Sequence, residues 1–292
     1  MVGLGSTARS ALKPGGYTKV LMVVEENKTY VDVLGAKTAP YLNGLARDYG
    51  SFAALDAGFP PPCPSLAAYL ILTSGDGHGI CDDKAPAAHP IDGPSIFSQL
   101  SGAGREWRVY GESMPTPCAA VDSPDRRYAV RHTAAPYYTA IRAECAKWAI
   151  PMGTPAAGAF HHDLTAGALP PFSLAIPDVC GDMHGGQSCQ GDEVGTGDDW
   201  LRRFLPAVMA GPDYTAGRLV VIITWDEGST TDNHIATLVI SPTTRRATVT
   251  QPVTLCAVAR LTSRIVDVPP LGCAASAPDL VAAFGLGPHP AT

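Results

Sequence analysis

Two runs, Tyr17–Asn27 (YTKVLMVVEEN) and Arg218–Glu227 (RLVVIITWDE), are apolar at nearly every central position rather than at every second one. A strand with one wet face alternates, whereas a strand covered on both faces does not. These segments therefore belong in a parallel sheet flanked by helices on either side. Arg105–Ser113, Phe172–Asp178 and His234–Pro242 fit the same sheet. Helical stretches lie between them. Thr38–Gly50 places Leu42, Leu45 and Tyr49 at helical spacing and ends on Gly50. Ser95–Gly104 starts on a serine cap and closes on glycine. Gly197–Gly211 puts Trp200, Leu201, Phe204, Leu205 and Val208 on one face, with Asp198 as its N-cap. Alternation of this kind predicts a three-layer α/β/α sandwich with a mainly parallel central sheet.

The chain has 292 residues, 46% of them hydrophobic, enough for one sizeable core. We expect one domain over residues 1–292, with 1–18 a flexible N-terminal segment. Residues 111–169, rich in Pro, Ala, Gly and His, form an insertion expected to line the site. A net charge of −6 without any Lys/Arg block argues against nucleic acid as a partner. No apolar run approaches the roughly 20 residues that span a bilayer, so no integral membrane segment is expected.

Eight cysteines, Cys63, Cys81, Cys118, Cys145, Cys180, Cys189, Cys256 and Cys273, contain no CxxC pair. The simplest of many pairings joins neighbours in chain order: 63 with 81, 118 with 145, 180 with 189, 256 with 273. Disulfides persist in oxidising compartments, so this reading implies a secreted or extracytoplasmic protein. The other reading is eight buried thiols in a cytosolic one. Met1–Thr18 has no apolar core of the kind a signal peptide needs, so no leader is expected in this chain and the argument rests on the cysteines.

Acids gather where strands end, at Glu25-Glu26-Asn27, at Asp178 followed by Asp182 and His184, and at Asp226-Glu227. Open α/β sheets bind ligands at those ends. If the strands are parallel neighbours, Glu26, Asn27, Asp226 and Glu227 converge, and such crowded carboxylates need a cation. An all-oxygen set suits one Mg²⁺, Ca²⁺ or Mn²⁺ better than Zn²⁺. The plainer reading is that strand ends are wet and often acidic. Ser65, after a Pro-rich turn that Cys63 would clamp and before an apolar helix, is either a nucleophile or simply a helix cap.

Taken in order, the segments VVEENKTYVDVLGAKTAPYLNGLA, PSLAAYLILTSG, VRHTAAPYY, LPPFSLAIPDVCGDMH, GDDWL and TWDEG with a downstream NHI form a recognisable series. From Val20 to Leu286 the chain resembles the phosphoesterase family of bacterial acid phosphatases and phospholipases C, within the alkaline-phosphatase-like superfamily. The resemblance implies that Glu26, Asn27, Asp226 and Glu227 hold the metal, with Ser65 as nucleophile and further ligand. It places His132, His184 and His234 near the scissile phosphate with Asp182 beside them. The activity implied is hydrolysis of phosphate monoesters through a phosphoserine, with His184 as the acid and an acidic optimum. Its partner is a small phosphate ester or a phospholipid head group. Alternatives are a phospholipase C-like diesterase and a secreted binding protein whose catalysis has decayed.

Two departures bear on the substrate. Ala67-Ala68 replaces the family's Pro-Asn, and the Ser-His-Tyr element has no histidine in Pro252–Leu261. Arg131 keeps the charge of the family's lysine. His161 and His162 match no catalytic position, Asp163 fits a loop cap, and His78, His89 and His289 read as surface residues.

Overall fold

The computed structural model describes residues 16–60, 63–154, 156–229 and 233–287; most of the N-terminal segment 1–18, and His289, lie outside them. In chain order the strands are β1 (Lys19–Glu25), β2 (Gly50–Phe52), β3 (Leu55–Asp56), β4 (Trp107–Gly111), β5 (Ala149–Pro151), β6 (Phe172–Ile176), β7 (Leu219–Trp225), β8 (His234–Ile235), β9 (Thr237–Ile240), β10 (Thr248–Val249) and β11 (Val253–Thr254). The main sheet has the order β10-β2-β9-β7-β1-β6-β4-β5, and β9 alone runs against the rest. The two apolar runs lie side by side, β1 parallel to β7 with Glu25 opposite Trp225. Every residue of β6 and β7 is buried, which is why neither alternates.

Helices α1 (Tyr30–Val33), α2 (Pro40–Asp48), α3 (Leu66–Ser74), α4 (Ile96–Gly102), α5 (Arg142–Trp148), α6 (Ala159–Thr165), α7 (Glu193–Ala210), α8 (Pro212–Thr215) and α9 (Leu255–Ile265) cover both faces. Strand pleat shows which covers which. Phe97 of α4 packs on Trp107 and Phe172, register partners on neighbouring strands. Tyr110, three residues beyond Trp107 and so on the other face, packs on Phe160 of α6. α3, buried at every position, joins α4 and α9 on the first face, while α2, α7 and α8 group with α6 on the second.

Local expectations differ from the structure at four places. Asp198 does not cap its own helix: Asp192 does, through the Gly195 N–H. Asp198 lies inside α7, and its carboxylate accepts the N–H groups of Tyr41 and Leu42 at 3.0 and 2.8 Å, capping α2 from outside. Gly50 opens β2 rather than terminating α2, and a Cβ there would meet the Phe284 ring at 2.5 Å. His234–Pro242 divides, β8 pairing with β3 in a small second sheet and β9 entering the main sheet antiparallel. His78 and His89 are half-buried, bonded to Ser74 Oγ and Asp82 respectively. The serine cap at Ser95 is present as a reciprocal box with Ser98.

The cysteines pair in chain order, Cys63–Cys81, Cys118–Cys145, Cys180–Cys189 and Cys256–Cys273. Residues 111–169 supply the edge strand β5, the core rings of Tyr137, Tyr138 and Phe160, and a turn carrying Arg131 and His132.

Candidate active site

Parallel pairing of β1 with β7 brings the two acidic ends together at the carboxyl edge of the sheet. The Asp226 N–H donates to the Glu25 carbonyl at 3.1 Å, continuing the ladder past the strands. Glu26 and Asp226 are fully buried and close enough for the Asp226 charge to bear on Glu26. Asn27 takes a left-handed φ of 45°, which turns its N–H onto Asp226 Oδ1 at 3.0 Å and its amide onto Glu227 Oε1 at 3.3 Å. Asp182 joins from the loop after β6, its carbonyl accepting the Glu26 N–H at 2.7 Å.

Ser65 occupies the N-cap position of α3, but its side chain does not cap the helix: its backbone is already helical and its hydroxyl donates to Glu26 Oε2 at 2.9 Å. The cap of α3 is Asp83, which accepts the Leu66 N–H at 3.0 Å. The Cys63–Cys81 bridge ties the turn before Ser65 to the segment carrying Asp83. Tyr69, one helical turn beyond Ser65, donates to Glu26 Oε1 at 2.5 Å.

His132, from the 130–133 turn, stacks on Tyr69 and lies between two acids, 3.3 Å from Glu26 Oε1 and 3.3 Å from Asp182 Oδ2. It is 1% exposed, and burial, then Arg131 and His184, hold its pKa well below the ordinary range. His132 thus bridges Glu26 and Asp182 from a buried position. His184 is half-buried beside it, its N–H donating to Asp182 Oδ1 at 2.8 Å and its Nε2 3.5 Å from Arg131. Arg131 also meets Asp83 at 3.1 Å and Asp122 at 3.7 Å. His234, in β8, stacks on Tyr30, and its Nε2 lies 3.0 Å from the Ala53 carbonyl. Asp163 ties α6 to β4 by accepting the Tyr110 hydroxyl at 2.7 Å.

The electrostatics are those of acids forced together. Burial, then Asp226 and Asp182, raises the Glu26 pKa far above the usual carboxylate range, against the Tyr69 hydrogen bond and Arg131. Asp182 and Asp226 are raised chiefly by burial, and Glu227 goes up to about 8 through burial and Asp226. Asn27 Oδ1 and Asp226 Oδ2 are buried, and no hydrogen bond reaches either. A donor set of this kind, oxygen-rich, anionic and incompletely satisfied, fits a hard divalent cation. A second grouping shares Glu26: its carboxylate, a nitrogen of His132 and an oxygen of Asp182 lie within 4.8 Å of one another and can also hold a metal.

Tyr69, Asp83 and Asp122 were missed in the sequence. Tyr69 alone carried a usable signal, since four residues from Ser65 places it on the same helical face. Nothing local marks Asp83 or Asp122, which reach the site through Arg131.

A Phosphoesterase family model matches residues 15–267. A curated relative, a phosphatidylinositol-3-phosphatase of Mycobacterium tuberculosis, is 28% identical over 288 residues, 97% of this chain and 87% of its own. Among solved structures, a protein of the alkaline phosphatase superfamily from Vibrio parahaemolyticus superposes with a TM-score of 0.60 at 13% identity, over 88% of this chain and 68% of its own. The phosphonate monoester hydrolase of Agrobacterium radiobacter gives 0.55 at 13%, over 96% and 79%. At such identities the likeness speaks to the fold, which is the alkaline-phosphatase-like sandwich.

Proposed function

Because the chain belongs to the Phosphoesterase family and is a hydrolase of phosphoric esters, we propose that it cleaves phosphate monoesters at Ser65, with one divalent ion as cofactor. The observation that carries this reading is the Ser65 hydroxyl bonded to a buried carboxylate where the two acidic strand ends meet. Glu26, Asn27, Asp226 and Glu227, with Ser65 Oγ, are the groups that would hold the ion. Bound there, it would supply the positive charge that favours the serine alkoxide and the charge developing on phosphoryl oxygens.

The chain's own residues do the rest. Ser65 Oγ attacks phosphorus in line as the ester oxygen departs, leaving a phosphoserine. Its proton is lost to solvent as the alkoxide forms, and Glu26, the hydrogen-bond acceptor 2.9 Å away, orients Oγ. His184, the more exposed of the two neighbouring histidines, protonates the leaving oxygen, with Arg131 beside it to grip phosphoryl oxygens. Water then releases phosphate from Ser65. His132 and Tyr69 fix the Glu26 carboxylate throughout.

We take residues 1–292 as one phosphoesterase domain, with Arg131 and His132 of the 111–169 segment forming a wall of its site. Four disulfides support an extracytoplasmic setting. Ser65→Ala tests the assignment: p-nitrophenyl phosphate turnover falls by about three orders of magnitude or more while the folded circular dichroism spectrum is kept. Wild-type rates in that variant would refute it.

A further inference from the structure

A cleft of about 650 Å³ opens beside Arg131 and His184, within the size range of small-molecule sites. Its wall is built from two segments, 122–131 and 179–188, that carry Arg131 and His184 and are locked together. Cys180–Cys189 closes the second segment. Val179 N–H donates to the Arg127 carbonyl at 3.0 Å, and Ser188 Oγ to the Asp125 carbonyl at 2.6 Å. Arg127 Nε donates to buried Asp178 at 2.7 Å. Most polar groups of this wall are thereby spent on its own architecture. Ser123 Oγ, for example, donates to Asp125 and accepts the Arg127 and Tyr128 N–H groups.

Two lining side chains are not spent this way. Arg126 and Gln187 line the cleft, are exposed, and make no side-chain hydrogen bond or ion pair among the described residues. Arg131, by contrast, is shared between Asp83 and Asp122. Arg126 also holds a φ of 58°, a conformation glycine adopts more readily, so the local backbone does not favour an arginine there.

We infer that this cleft receives the alcohol part of the substrate, and that Arg126 and Gln187 are specificity-determining residues. Arg126 binds a second anionic group on that alcohol, and Gln187 hydrogen-bonds its hydroxyls. The inference rests on the phosphatase reading, since the cleft is placed by its shared wall of Arg131 and His184. A guanidinium with free donors is well shaped for bidentate capture of phosphate oxygens, and a carboxamide offers a hydroxyl both donor and acceptor.

The test compares wild type, Arg126→Gly and Arg126→Lys on four substrates. They are p-nitrophenyl phosphate, fructose 6-phosphate, fructose 1,6-bisphosphate, and phosphatidylinositol 3-phosphate in phosphatidylcholine vesicles. Glycine suits the left-handed backbone, so Arg126→Gly keeps or raises the melting temperature. The expected result is a wild-type kcat/KM about tenfold higher for the bisphosphate or the lipid than for fructose 6-phosphate. In Arg126→Gly that advantage disappears, mainly through KM, p-nitrophenyl phosphate changes less than twofold, and Arg126→Lys keeps part of the preference. Which of the two substrates with a second anionic group gains identifies the source of that anion, soluble or lipid. Absence of any preference in wild type, or equal loss on all substrates in Arg126→Gly, overturns the inference while leaving the catalytic reading intact. Failure of wild type on all four, p-nitrophenyl phosphate included, sinks both.

Discussion

Glu26 is the residue on which the site turns. One of its oxygens takes the Ser65 hydroxyl and the other the Tyr69 hydroxyl, and His132 stands 3.3 Å away. Burying an acid beside Asp226 and Asp182 drives it toward protonation, and a protonated Glu26 does not ligate a cation. The Tyr69 hydrogen bond opposes that drift. Tyr69→Phe removes it without changing the ring that stacks on His132, so divalent affinity in a calorimetric titration falls about tenfold, the equivalent of about 1.4 kcal/mol. Unchanged affinity would mean that Tyr69 only fills space. At this scale the sequence revealed the acids because strand ends are easily located, and Glu26 and Asp226 needed only parallel neighbours to meet. It concealed the groups that tune them. The Tyr69 hydroxyl meets an acid 43 residues away in sequence, and whether Ser65 caps a helix or faces a carboxylate depends on one side-chain rotation.

Elements hold the site by close approach. Asp182 and His184 ride on a loop whose Met183, fully buried at a φ of 73°, lies on Gly197 of α7, where a Cβ would stand 2.4 Å from Met183 Cγ. Gly197→Ala gains helix propensity, about 1 kcal/mol, and loses more to the clash, about 1–3 kcal/mol for overpacking. Denaturant melts should show a net loss of roughly 1 kcal/mol, with a fall in kcat as the Asp182 loop is lifted. A more stable, fully active variant would show that the loop yields freely. Strands with buried faces were legible because apolar runs have few other uses. Helix ends were less so: Asp198 has the residue type of a cap and does cap a helix, but α2 rather than its own, and no periodicity reveals a partner about 157 positions away.

For the whole molecule, the four bridges each close a short local loop, and two of them flank the proposed site, at the Ser65 turn and around the loop that carries Asp182 and His184. Loops of these lengths are worth about 2–4 kcal/mol apiece. Full reduction should therefore lower the melting temperature by roughly 10 °C or more, and non-reducing peptide mapping should recover the chain-order pairs. An unchanged melting temperature would count against a structural role for the bridges. Pairing was readable because neighbours in sequence became neighbours in space. The cleft beside His184 was not, being made where two loops far apart in sequence lock together.

The central claim is a single divalent ion between the ends of β1 and β7, and metal titration of the chelated enzyme tests it most directly. Raised carboxyl pKa values mean that at pH 7 the metal-free site retains protons, Glu227 up to about 8 among them, which the ion must displace. The account predicts one ion bound per chain at pH 7, protons released on binding, affinity weakening as pH falls toward 5, and turnover returning in step with occupancy. Full hydrolysis after exhaustive chelation, or a titration with no saturable site in wild type, would contradict it.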